Sequence, residues 1–151
     1  PHFSDYDIIN QPPTYMYFNQ PVLYPFGHGL SYSEFAYSNL RLNADTFQKN
    51  EEIELQFEVR NKGKMKGDEV VQVYTHSRNA SIKVPINQLK RFRRITLSPG
   101  EERTVSFKIP ASELSFYSTS TNDFEIEPGL FEIQVGSSSK DIRLRRTIAI
   151  E

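Results

Sequence analysis

The sequence contains no cysteine among its 151 residues. Disulfides, a cysteine nucleophile and thiolate metal sites are therefore excluded, while the redox compartment stays open. Long apolar runs are also missing. The longest stretches reach only about four residues, far short of the roughly 18–20 that a membrane span needs, and mean hydropathy is -0.56. Charge of one sign is not in surplus: formal net charge is -1, whereas nucleic-acid-binding domains usually carry a basic excess. The chain also lacks a G-x-G-x-x-G, a P-loop and a G-x-S-x-G elbow. Residue 1 is Pro, and no charged-then-apolar leader follows, so the chain reads as processed or excised from something longer.

What is present is enough for one domain with an appendage. Hydrophobic residues make up 37% and charged residues 25%, which fits a chain that folds around a core. Ten of the 19 Phe and Tyr residues fall within residues 1–37, together with Pro1, Pro12, Pro13, Pro21 and Pro25. This quarter follows neither a helical nor a sustained alternating period. It predicts an extended, irregular segment packed against a surface.

From about Phe35 the pattern becomes one of strands. Ile53, Leu55, Phe57 and Val59 alternate with charged and amide residues, the mark of a half-buried strand. Val105, Phe107 and Ile109 alternate in the same way, as do Phe131, Ile133 and Val135. Val70 to Thr75 is β-rich on both parities and predicts a central strand. Ile142, Leu144, Ile148 and Ile150 share a parity that Arg146 interrupts, so a bulge or a sheet edge is expected near Arg146. Ser98-Pro99-Gly100-Glu101 and Glu127-Pro128-Gly129-Leu130 both predict type II turns, with Pro setting φ and Gly accepting a positive one. Asn61-Lys62-Gly63 and Lys66-Gly67 bracket a connection, and Ala111–Phe116 has room for one helical turn. About seven short strands separated by turns predict an all-β, immunoglobulin-like β-sandwich.

The run Leu23-Tyr24-Pro25-Phe26-Gly27-His28-Gly29-Leu30-Ser31-Tyr32, followed by Phe35, resembles the signature that opens the C-terminal domain of glycoside hydrolase family three. Three further stretches match in order: Val59–Gly63 through Gly67–Tyr74, then Pro85 with Leu89–Glu101, then Glu127–Gly129 with Val135–Ser138. The likeness runs from about Tyr15 to the end. His28 stands where the family often has an aromatic residue, Phe124 where a Trp is common, and Pro12-Pro13 where a Gly-Arg pair is usual. The resemblance implies a fibronectin type III-like domain over 36–151. Residues 1–35 would be a connecting segment continuing from a preceding α/β domain. It implies a parent of β-glucosidase or β-xylosidase type, whose nucleophilic Asp lies in a barrel and whose acid/base carboxylate lies in that α/β domain. No residue of this chain matches a catalytic motif, so neither activity, metal nor cofactor is expected of it alone. A periplasmic or secreted location is likewise implied by the family.

Candidate chemistry in the chain is sparse. Asp5 and Asp7 share a parity, and two carboxylates about 5–9.5 Å apart are what glycoside hydrolysis uses, but a solvated pair near the terminus is the simpler reading. His2, His28 and His76 share no ligand spacing. Lys90, Arg91, Arg93 and Arg94 around Phe92 read as a charged strand rather than a nucleic-acid platform. Arg143, Arg145 and Arg146 read as edge-strand charges. Asn79-Ala80-Ser81 fits the glycosylation acceptor pattern. The aromatic segment carries the sharpest expectation. Tyr15, Tyr17, Phe18, Tyr24, Phe26 and His28 are predicted to pack between this domain and its catalytic partners. The competing readings of the same residues are weak stacking on sugar rings, as in a free-standing carbohydrate-binding module, and self-association or adhesion through residues 1–35.

Overall fold

The computed structural model describes residues 14–18, 20–80 and 84–151. Asp5, Asp7, His2 and Ser81 of the acceptor triplet lie outside these. Ten strands are described: β1 Phe35–Leu42, β2 Thr46–Phe47, β3 Glu52–Asn61, β4 Gly67–Ser77, β5 Gln88–Leu97, β6 Glu102–Pro110, β7 Phe116–Ser118, β8 Asp123–Glu125, β9 Gly129–Gly136 and β10 Ile142–Ile150. Seven of them run eight residues or more, and a single 3-10 turn, Ala111–Leu114, follows β6. One sheet has the order β1-β3-β6, the other β2-β10-β9-β4-β5, and β7-β8 form a small separate hairpin. This is the expected two-layer β-sandwich. Among the described residues, no helix is long and apolar enough to cross a membrane.

The core lies where alternation put it. Ile53, Leu55, Phe57 and Val59 of β3 are buried, and so are Val105, Phe107 and Ile109 of β6. They meet Val71, Val73, Ile133, Val135, Ile148 and Ile150 from the second sheet. Each fully buried side chain of this size contributes about 1.5–3 kcal/mol. Phe57 is the hub of the aromatic part, stacking on Tyr37 at 6.1 Å and Phe107 at 6.2 Å.

Strand β4 is central, between β9 and β5, and is buried on both faces from Val71 to Thr75. Sheet-on-sheet packing covers only one of those faces. The outer face, carrying Gln72 and Tyr74, is covered by the irregular segment before β1. Its Phe26 carbonyl accepts from Ser139 N at 2.9 Å, its Met16 carbonyl accepts from Ile86 N at 2.6 Å, and its Tyr15 hydroxyl accepts from Leu89 N at 3.4 Å.

Three turn details refine the expectations. Gly100 has φ 76°, and Glu101 N donates to Ser98 O at 3.0 Å, as a type II turn requires. The second Pro-Gly pair behaves differently. Gly129 has no positive φ and already belongs to β9, paired with Ile150, so ladder pairing with β10 overrides the turn there. In β10 the register shift lies between Ile142 and Leu144, and Arg146 pairs regularly with Ile133. The bulge is thus earlier than Arg146. Arg146 instead sits where the sheet is open, because β2 covers only Ala149 and Ile150. There it pairs with Asp45 at 3.1 Å.

Candidate docking face

The segment 14–34 is held to the outer face of the larger sheet at a few points. Pro25–His28 form a tight turn, with His28 N donating to Pro25 O at 2.9 Å and Gly27 at φ 80°. Only glycine takes that backbone without strain. The turn brings the Gly27 carbonyl onto Gln72, whose Nε2 donates to it at 3.0 Å and to Ser137 O at 2.5 Å. Gln72 Oε1 in turn accepts from the buried Tyr74 hydroxyl at 2.5 Å. Burial pushes the Tyr74 hydroxyl pKa upward, so it stays a donor. A polar row on an outer strand face is thereby satisfied by the segment that crosses it.

The six residues that the sequence points to fall into three pairs. Tyr15 and Phe26 stack face to face, with ring centroids 3.9 Å apart and planes 6° apart, and so pack within this chain. Tyr24 and His28 form a looser, tilted pair at 5.6 Å. Both remain exposed, while Tyr17 and Phe18 are half-buried.

The exposed side of the segment is strongly apolar. Leu23 is 93% exposed, Tyr24 76%, Leu30 92% and Tyr32 98%. Leu30 and Phe26 line an open cavity of about 450 Å³ with Val70, Leu89 and Phe92 of the sheet, and Phe92 is itself 67% exposed. Leu23, Leu30 and Phe92 were not singled out from the sequence as packing residues. The first two are single aliphatic residues in a segment without a period, and Phe92 lies among the basic residues of its strand.

Those basic residues are engaged within the chain. Arg91 forms a two-pronged pair with Glu113 at 2.6 and 2.8 Å, and Lys90 Nζ donates to Glu113 O at 2.6 Å. Arg93 lies 5.0 Å over the Phe107 ring, and Arg94 pairs with Asp68. Thr96 and Arg94 together hold the Asp68 carboxyl below its usual range.

Acidic residues border the face. Glu69 accepts from the Tyr37 hydroxyl at 2.6 Å. Burial raises the pKa of both groups. Arg143, bonded to Asp141 at 2.6 Å and lying 5.7 Å over the Tyr37 ring, supplies the nearby positive charge. Among the described residues of this face, no two carboxylates are opposed across a cleft.

Comparison with known proteins identifies the family of this fold. The family model described as "Fibronectin type III-like domain" matches residues 69–139. The thermostable β-glucosidase B of Acetivibrio thermocellus is 39% identical over 85% of this chain, and the periplasmic β-glucosidase of Salmonella typhimurium is 39% identical over 86%. The chain spans only 17% of the length of each. Among solved structures, a β-glucosidase of glycoside hydrolase family three from Bifidobacterium adolescentis superposes with a TM-score of 0.80 at 30% identity. That match covers 87% of this chain and 19% of the other.

Proposed function

This chain belongs with the fibronectin type III-like domains of glycoside hydrolase family three, and from that premise we propose that it braces the catalytic domains of a β-glucosidase or β-xylosidase type enzyme. Residues 1–35 act as the connecting segment and 36–151 as the accessory domain. The parent acts on β-linked glucosides or xylosides in the periplasm or outside the cell. One observation carries the reading. Leu23, Tyr24, Leu30 and Tyr32 project from a segment that is itself pinned to the sheet, and Leu30 shares a cavity with the exposed Phe92. Single exposed apolar residues are ordinary, but a concentrated set on a rigid base marks an interaction surface. In the intact enzyme this surface, with Tyr17, Phe18 and His28 beside it, packs on the catalytic domains. Bracing matters to rate, because a misplacement of about 1 Å at opposed catalytic groups can cost around 10²-fold.

The test replaces the matching segment of the Acetivibrio thermocellus relative with this chain and follows hydrolysis of an aryl β-glucoside. The hybrid is expected to be active. Leu30→Asp combined with Phe92→Asp is expected to abolish activity while leaving the circular dichroism of the isolated domain unchanged. Turnover by the isolated chain, lost on replacing one of its own carboxylates, would overturn the proposal. So would full activity of the doubly substituted hybrid. Light scattering of the isolated chain separates bracing from self-association: a stable dimer lost on deleting residues 1–35 would favour assembly instead.

A further inference from the structure

A second cavity lies on the outer face of the larger sheet and is different in character. It has a volume of about 420 Å³ and is lined by Arg78, Asn87, Glu132, Gln134, Lys140 and Arg145 among others. Glu132 and Gln134 point away from the core, yet they are only 8% and 6% exposed. Arg78 donates to Glu132 at 2.8 Å, and Gln134 Nε2 donates to the other Glu132 oxygen at 2.7 Å. Arg145 stands off at 3.6 Å from Glu132. Gln134 Oε1 is buried and has no hydrogen-bond partner among the described residues. An orphaned buried acceptor is uncommon enough to need an explanation.

We infer that this cleft is a binding site for a neutral, polyhydroxylated ligand, of which a short oligosaccharide is the class the surroundings fit. The chemistry of the wall selects it. An anionic ligand would meet the Glu132 carboxylate and the Gln134 carbonyl oxygen. A cationic one would meet Arg78, Arg145 and Lys140. A hydroxyl group both donates and accepts, so it can donate a hydrogen bond to Gln134 Oε1 and accept one from an Arg, Lys or Asn. Asn87 and Lys140 also line the adjoining cavity of about 290 Å³, whose wall includes Tyr15, Tyr24 and Phe26. Planar polar side chains therefore continue into a stacked pair of aromatic rings, which offers the apolar face of a sugar somewhere to lie. The polar cleft shares no residue with the Leu30 and Phe92 cavity, although the adjoining aromatic wall includes Tyr24 of the bracing surface and Phe26.

The test is a titration of the isotopically labelled chain with cellotetraose, and separately with xylotetraose, followed by NMR. The side-chain amide signals of Asn87 and Gln134 are expected to move saturably with at least one of the two. Lys140→Ala and Arg145→Ala are each expected to weaken binding about ten- to a hundredfold, the loss of a hydrogen bond from a charged donor. Tyr32→Ala, on the other surface, is expected to leave it unchanged. Amide signals that stay still with both sugars up to the limit of solubility would overturn the inference. Equal affinity in the Lys140 and Arg145 variants would do the same, as would preferential binding of a triglutamate peptide in the cleft.

Discussion

Gly27 and Gln72 are locked together: the glycine carbonyl accepts from Gln72 Nε2 at 3.0 Å, and a Cβ on Gly27 would lie only 2.9 Å from the Gln72 carboxamide carbon. This contact joins the irregular segment to the centre of the larger sheet. Gly27 is held at φ 80°, so a side chain there would suffer both backbone strain and collision.

Gly27→Ala is therefore expected to destabilise by about 2–4 kcal/mol, combining left-handed backbone strain with displaced hydrogen bonds. Gly100 has a similar φ of 76° but open space around it. Gly100→Ala should cost only about 1–2 kcal/mol, from strain alone. Chemical denaturation of the two variants measures the difference. Equal losses would show that the Gln72 contact contributes nothing.

Gln72→Ala leaves the buried Tyr74 hydroxyl without its acceptor and frees the Gly27 turn. A loss of about 1–3 kcal/mol follows. Because the obstacle is gone, Gly27→Ala should cost less in the Gln72→Ala background than alone. A double-mutant cycle reads that coupling directly.

Asn61 is fully buried at the end of β3. Its Nδ2 donates to Met65 O at 2.8 Å and Leu97 O at 3.0 Å, and its Oδ1 accepts from Gly63 N at 2.8 Å. Asn61→Ala removes all three bonds and should cost about 2–4 kcal/mol, since the partners are left unpaired in a buried place. Asn61→Asp should be no better near neutral pH, because a carboxylate cannot donate to two carbonyls. Thermal unfolding compares the three proteins.

The carboxyl groups respond to pH in opposite directions. Burial raises Glu69 above its ordinary pKa, so the folded state holds that proton more tightly than the unfolded one. This contribution weakens the fold as pH rises from the unfolded value through the folded one. Asp141 is held low, chiefly by the Arg143 hydrogen bond, so its contribution is present at neutral pH and lost as pH falls through the folded value. Glu69→Gln keeps an acceptor for Tyr37 and should raise Tm by about 1–3 °C near pH 7, with the gain vanishing at pH values where Glu69 is protonated in both states. Asp141→Asn should lower Tm near pH 7 and have no effect in strong acid. Melting curves across that range check both signs.

Much of the fold was determined by local pattern. Alternation in β3, β6 and β9 placed Ile53, Phe57, Val105 and Ile133 in the core, because a strand whose side chains alternate between faces has one stable way to bury them. Ser98–Glu101 carried its own turn, since Pro99 and Gly100 fix the needed dihedrals. The ordered motifs from Leu23 to Ser138 also carried the family. Tertiary structure decided what pattern could not. Glu127–Leu130 has the same Pro-Gly chemistry as Ser98–Glu101, yet pairing of Gly129 with Ile150 drew it into a strand. Gln72, Glu132 and Gln134 occupy outward-facing positions that alternation assigns to solvent; the Gly27 turn covers Gln72, and Arg78 reaches over to Glu132. Leu30 and Phe92 are 62 residues apart in the numbering of the chain. Their meeting on one face depends on where the Gly27 turn docks, a long-range contact that no local period encodes.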